Sequence, residues 1–331
     1  MKRPRILSGM RPTGPLHLGN YMGALDNWVR LQDTYECFFM VADWHSLTTD
    51  YTDPSQVRQN GLEVATDWLA AGLDPQRSTL FIQSLVPQHA ELHLLLSMIV
   101  PVPWLERVPT YKEQQQNLTG KDLSTYGFLG YPLLQTADIV MYNAQFVPVG
   151  EDQVPHLELS REVVRRFHAF YGEVFVEPQP LLTRFPRLPG LDNRKMSKSY
   201  GNAIDLADDT AAVRTKVMSM YTDPARIRAD IPGNVEGNPV FTYHDAFNPD
   251  VAEVDDLKAR YRAGKVGDVE VKRKLIAALE LTLDPMRQRR AELLAKPDTI
   301  RDVIADGSRR ARLVAQETMA RVREAMKISY R

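Results

Sequence analysis

Ser8-Gly9-Met10-Arg11-Pro12-Thr13-Gly14-Pro15-Leu16-His17-Leu18-Gly19-Asn20 is the stretch on which the fold turns. It follows the apolar pair Ile6-Leu7 and leads into residues 21–31, where Tyr21, Leu25, Trp28, Val29 and Leu31 recur at helical spacing. The pattern predicts strand, tight loop, helix. Gly9, Gly14 and Gly19 permit close backbone approach, Pro12 and Pro15 stiffen the turn, and the helix opening offers unpaired N–H groups and a positive dipole end. Such a loop suits a polyphosphate.

Outward from the loop, Glu36 to Asp43 is a nearly continuous apolar run, the signature of a parallel strand buried on both faces. Its carboxyl end carries Asp43-Trp44-His45-Ser46, where ligands collect in open α/β sheets, so His45 is a candidate pocket residue. A helix is predicted over Gln56 to Gly72 and a strand over Ser78 to Gln83. This alternation predicts an α/β fold with a doubly wound parallel sheet. Residues 86–130 break the rhythm, with a helix over Glu91 to Val100, then prolines and the polar run Tyr111 to Lys121. Helices are predicted over Pro132 to Tyr142 and Val154 to Phe170, with a short strand over Gln145 to Val149 between them. Gly150, Glu151 and Asp152 follow that strand, either as an ordinary turn or as a place where backbone and carboxylate meet a ribose. Beyond Lys195 the sequence is helical: Asp208 to Tyr221, a long loop over Pro224 to Pro249, then Val251 to Tyr261, Val269 to Leu294, Thr299 to Ala305 and Ser308 to Met326.

A length of 331 residues, 44% of them hydrophobic and 25% charged, fits about two domains of an ordinary soluble protein. The single cysteine, Cys37, excludes an internal disulfide framework and a cysteine-rich zinc site; it sits in an apolar run and is expected in the core. With no apolar leader after Met1-Lys2-Arg3-Pro4-Arg5 and no membrane-length apolar run, a cytoplasmic protein without membrane association is expected. The net charge of −1 conceals an asymmetry, since residues 251–331 carry 19 Lys and Arg against 13 Asp and Glu. That excess fits either a phosphate backbone or a solvated helical face.

Two motifs carry a resemblance. His17-Leu18-Gly19-Asn20 resembles the His-Ile-Gly-His signature of class I aminoacyl-tRNA synthetases, with Leu18 and Asn20 as departures, and Arg194-Lys195-Met196-Ser197-Lys198-Ser199, about 180 residues downstream, resembles their Lys-Met-Ser-Lys-Ser loop. Ala42-Asp43-Trp44-His45-Ser46, Leu80-Phe81-Ile82-Gln83-Ser84, Ala137-Asp138-Ile139 with Tyr142, and Val147 to Gln153 are similar to the bacterial-type tryptophan branch of that class. Tyr131, Gln135 and Asp138, at i, i+4 and i+7, share a helix face and also resemble the tyrosine branch. A small adenylyltransferase would share the first loop but would not explain the helical tail, and a non-catalytic paralogue would not explain retention of both loops.

The resemblance implies a Rossmann-like catalytic domain over 1–203 with a connective insertion about 86–130, and a helical anticodon-binding domain over 204–331 whose last helix can fold back on the catalytic part. It implies ligation of tryptophan to tRNA through a tryptophanyl-adenylate, with ATP as substrate accompanied by Mg2+, no protein-caged metal, tRNA(Trp) as partner, and a homodimer. Catalytic roles fall to His17, Asn20, Lys195 and Lys198, with charge neutralisation on the phosphates as the chemical reason. Arg11, Pro12, Thr13, Gly19, Gly150, Glu151, Asp152, Leu188, Met196, Ser197 and Ser199 would complete the ATP site, and Lys112 would add a mobile charge. Tryptophan would lie among Leu7, Gly9, His45, Val147, Val149 and Gln153. Asp138 would accept from the indole N–H, with its charge unpaired if a ring without that donor entered, and Tyr131 and Gln135 would serve the amino group.

Overall fold

The computed structural model describes residues 3–109, 111–113, 122–182, 188–197, 200–223, 226 and 228–330, excluding the Asp152 side chain. Five strands, β1 (Arg5–Met10), β2 (Glu36–Val41), β3 (Ser78–Ile82), β4 (Phe146–Val149) and β5 (Gln179–Leu182), form one parallel sheet in the order β3-β2-β1-β4-β5. The chain winds outward from β1 through β2 to β3, then crosses to β4 on the other side. This leaves a crevice at the carboxyl ends of β1 and β4, where such sheets take ligands.

The period-2 alternation of side chains splits the strands between two cores. Ile6, Phe39, Val41 and Leu80 face one layer, with Trp28 stacked on Phe39 at 4.6 Å, while Leu7, Phe38, Met40 and Phe81 face the other, where Phe38 stacks on Tyr142 at 4.7 Å. Cys37 is buried in the first layer, and burial pushes its thiol up to about 12.

Several elements differ from expectation for identifiable reasons. The helix after the first loop begins at α1 (Leu18–Asn20), and passes through a π turn at Tyr21–Leu25 into α2 (Asp26–Leu31). The predicted strand end at Asp43 opens α3 (Asp43–Asp50) instead; α4 (Val57–Ala71) ends at Gly72, whose φ of +113° supplies the left-handed cap. The helix predicted from Glu91 is α5 (Gln88–Ser97), followed by a short α6 (Val102–Glu106).

Pro132 does not open its helix. The start lies at Thr125, whose Oγ1 accepts from Phe128 N at 3.3 Å, and α7 (Tyr126–Met141) carries the proline inside. α8 (Val154–Tyr171) follows β4.

In the C-terminal part, α9 (Thr210–Met218) is capped by Asp209, and the predicted loop over Pro224 to Pro249 contains α10 (Pro239–Phe247), capped by Asn238 with a proline in its first turn. α11 (Val251–Arg262) and α12 (Asp268–Leu294) complete the bundle. The two final helices expected on either side of Gly307 are one, α13 (Pro297–Ala325), and the glycine serves packing. A Cβ on Gly307 would stand 1.8 Å from the Leu80 carbonyl oxygen, so only glycine lets α13 lie along β3. There Ser308 Oγ accepts from Ile82 N, and Arg310 donates to the Ser78 carbonyl, covering an edge strand. No helix among the described residues is long and apolar enough to cross a membrane.

Candidate active site

The crevice holds a cavity of about 340 Å³, at the small end of the ~300–1,000 Å³ range of ligand pockets. All nine residues expected around the amino acid line it. Leu7 and Gly9 come from β1, His45 from α3, Tyr131, Gln135 and Asp138 from α7, Val147 and Val149 from β4, and Gln153 from the turn after it. Arg11 borders the same cavity; burial lowers its guanidinium pKa against the pull of Asp50, 3.7 Å away.

Asp138 is 1% exposed. Its Oδ1 accepts from His89 Nδ1 at 2.6 Å and Gln83 Nε2 at 2.8 Å, and its Oδ2 from His45 Nε2 at 2.7 Å and Gln83 Nε2 at 3.0 Å. Burial alone would raise its carboxyl; hydrogen bonds from His45 and His89, and their charge, outweigh that and hold it well below the ordinary carboxylate range. The donor roles follow, because an ionised carboxylate only accepts. Burial, then the Asp138 charge, raises the Tyr142 phenol well above its ordinary value, so the hydroxyl stays protonated, and it is hydrogen-bonded to His89 Nε2 at 2.7 Å.

This corrects the expectation that a ring without a donor would leave the Asp138 charge unpaired. Of the three donors, only His45 was anticipated as a pocket residue. Gln83 and Tyr142 stood in recognised motifs without a role. His89 lies in the first turn of α5, ahead of the predicted helix start, and nothing in its spacing marks it.

The first loop closes on itself. His17 Nδ1 accepts from Asn20 N at 3.2 Å, and Asn20 Oδ1 accepts from His17 N at 3.1 Å, a reciprocal cap. Because Nδ1 accepts, the neutral ring carries its proton on Nε2. Asp67 Oδ2 takes the Leu16 N–H at 3.0 Å, and residues 204–206 pair with the turn through Leu18 N to Ile204 O at 2.9 Å and Leu206 N to Leu16 O at 2.8 Å. Pro12 is buried behind the turn and Thr13 is exposed on it.

The second loop reaches the first. Met196 Sδ would stand 2.8 Å from a Cβ added at Gly19, so the histidine turn and the Lys195 loop are in contact. Asn202, 4% exposed, anchors the loop: its Oδ1 accepts from Ser197 N at 2.9 Å, and its Nδ2 donates to Lys195 O at 3.1 Å and Asp192 Oδ1 at 2.8 Å. Donation from Asn202, aided by Arg194, draws the Asp192 carboxyl down to about 2. Gly190 makes this possible, since a Cβ there would meet Asn202 Nδ2 at 2.2 Å. Asn202 and Gly190 were not among the expected site residues.

Lys195 is exposed, and Leu188 is buried beside the Pro189–Lys195 bridge. Gly150 and Glu151 open a 3-10 turn after β4. Lys112 is exposed in residues 111–113 and does not line the cavity. Lys198, Ser199 and the Asp152 side chain lie outside the described residues. Among the described residues, no group of three or more His, Cys, Asp or Glu is placed to hold a metal ion.

A doubly wound parallel sheet, a histidine turn in contact with a lysine loop, and a carboxylate in the wall of the crevice cavity are the arrangement of a class I nucleotide-binding enzyme. Residues 1–284 match the family described as tRNA synthetases class I (W and Y). The tryptophan–tRNA ligase of Treponema pallidum is 51% identical over 330 residues, covering 99% of this chain and 98% of its own, and that of Thermotoga maritima is 50% identical over 327 residues, covering 98% and 100%. The structure of tryptophanyl-tRNA synthetase from Campylobacter jejuni, complexed with ADP and tryptophan, superposes with a TM-score of 0.88 at 32% identity, covering 98% of this chain and 99% of that one.

The chain belongs to the class I tRNA synthetases for tryptophan and tyrosine. Within them it is of the bacterial tryptophan type, an ATP-dependent ligase that activates L-tryptophan and transfers it to tRNA(Trp).

Proposed function

We propose that the nine residues around the cavity seat tryptophan, with the indole against Leu7, Val147 and Val149, its N–H toward Asp138, and its ammonium group by Tyr131 and Gln135. The observation that supports this most is their convergence, from five separate elements, on one cavity with an ionised carboxylate in its wall. The tryptophan carboxylate then attacks the α-phosphorus of ATP, and pyrophosphate leaves.

Catalysis on this reading is alignment and charge neutralisation, with no protein nucleophile. His17, with its proton on Nε2, donates to the phosphates, and Asn20 stands beside it. Gly19 leaves room for their approach, and Lys195 and Lys198 take the charge of the departing pyrophosphate. Arg11, Pro12 and Thr13 border the nucleotide, Met196, Ser197 and Ser199 belong to the closing loop, Gly150, Glu151 and Asp152 hold the ribose, and Leu188 meets the base through its backbone. Magnesium enters on the phosphates of ATP. The contacts of Asn202 with the Lys195 loop support a loop of defined shape.

Residues 1–203 act as the catalytic domain, with 86–130 as the connective insertion serving a homodimer, and 204–331 carry the anticodon through phosphate contacts that weaken with salt. The protein works in the cytoplasm. ATP–pyrophosphate exchange across the twenty amino acids tests the site: exchange with tryptophan alone is expected, and exchange with tyrosine at a comparable kcat/KM would overturn the assignment of the cavity.

A further inference from the structure

An ionised carboxylate offers about four lone-pair sites, and both oxygens of Asp138 already accept two contacts each. Gln83 Nε2 supplies two of these four contacts, so an indole N–H reaches Oδ2 only if a donor on that oxygen gives way. Gln83 and His89 are fixed: both are 0% exposed, Gln83 bridges the two oxygens, and the far nitrogen of His89 is held by the Tyr142 hydroxyl. His45 is the remaining donor. Its side chain is 12% exposed and it lines the cavity.

We propose that His45 is an exchangeable donor, holding Asp138 Oδ2 and turning off the carboxylate as the indole N–H of tryptophan arrives. The inference rests on the reading of Asp138 as the indole acceptor and deepens it. Selection for an indole N–H becomes the difference between two hydrogen bonds instead of the whole cost of an unpaired buried charge. A ring without the donor leaves His45 in place and Asp138 paired. His45 therefore sets how steeply the site rejects such a ring.

The test compares tryptophan with β-(3-benzothienyl)alanine, in which sulfur replaces the N–H, by kcat/KM in ATP–pyrophosphate exchange. In His45→Leu, tryptophan adds a bond where the parent swaps one, so the tryptophan-to-analogue ratio rises by about tenfold or more. In His45→Gln, whose amide can donate and swing, the ratio returns to the parent value. An unchanged ratio in His45→Leu, with both substrates weakened alike, would reduce His45 to a wall of the pocket and overturn the proposal. A lower ratio would overturn it too, by making His45 a support for Asp138. Asp138→Asn is the separate control, since a parent-like ratio there would defeat the acceptor reading itself. In the parent protein, the proton NMR signal of the hydrogen-bonded His45 Nε2 should be present in the free state and with the analogue, and should be lost with tryptophan. Its persistence with tryptophan would overturn the exchange without recourse to any variant.

Discussion

Replacing Gly19 by alanine sets two effects of known sign against each other. Alanine is the better helix former by up to about 1 kcal/mol. The new Cβ, however, would lie 2.8 Å from Met196 Sδ and 3.0 Å from both Cε1 and Nδ1 of His17. The methionine can swing away at little cost. The imidazole cannot, because its Nδ1 is tied to Asn20 N at 3.2 Å. Restoring ordinary contact moves the ring by about 0.4 Å and draws that bond toward the ~3.6 Å at which it no longer counts as one. A lost cap costs about 0.5–2 kcal/mol.

The two terms nearly cancel, so the unfolding midpoint should move by no more than roughly 4 °C. Catalysis has no such compensation. A 1 Å misplacement of a positioning group costs about a hundredfold, and 0.4 Å corresponds to a loss of roughly sixfold in kcat for ATP–pyrophosphate exchange. The KM for tryptophan should stay within twofold, because Gly19 does not line the amino-acid cavity. A kcat within twofold of the parent would refute the argument, as would a rise in tryptophan KM that accounts for the whole loss.

Asn202→Ala should lower the exchange rate about tenfold while leaving tryptophan affinity unchanged, since it removes the Asn202 bonds to Ser197 N and Lys195 O without touching the cavity; calorimetric tryptophan binding that falls with the rate would contradict this. Gly307→Val forces α13 off the Leu80 carbonyl and should destabilise the fold by about 3 kcal/mol, read as a drop in Tm; an unchanged Tm would mean the helix does not need this approach. The folded-state pKa of Asp138 is depressed, so its contribution to stability is present above the unfolded pKa of about 3.9 and is lost as pH falls through the folded value. The difference in unfolding free energy between parent and Asp138→Asn should therefore not shrink between about pH 8 and pH 5, and should shrink only in stronger acid. Shrinkage beginning near pH 6 would contradict the direction of the shift.

β1 to β4 were legible because each is a continuous or alternating apolar run. β5 was not: its residues are exposed or half-buried, and Pro180 interrupts it, which an edge strand tolerates and a sequence pattern conceals. Gly307 misled in the opposite direction, since a glycine demanded by contact with another element reads locally as a helix break. The nine expected residues that line the cavity could be named because they stand in recognisable motifs. Those that hold Asp138 could not, because a buried carboxylate finds its donors where α5 and α7 converge in space, and neither helix advertises the other in its periodicity.

The border drawn at residue 203 is one of composition, with alternating strands and helices before it and helices after it. The contacts cross it. Ile204 O and Leu206 N pair with Leu18 and Leu16 on either side of His17, so the first residues of the helical part brace the histidine turn. Farther along, Arg290 on α12 donates to Asp67 Oδ1 at 2.9 Å and also pairs with Glu63, while the other oxygen of Asp67 holds Leu16 N. Burial raises the Asp67 carboxyl, and the Leu16 amide and Arg290 oppose that rise, so a group deep under the turn owes part of its ionisation to a helix of the bundle. A displacement of α12 relative to the sheet would withdraw the Arg290 charge from Asp67 and weaken its hold on Leu16 N, next to His17. The bundle is thus part of the mechanical support of the histidine turn, and no motif in either half could have revealed that alone.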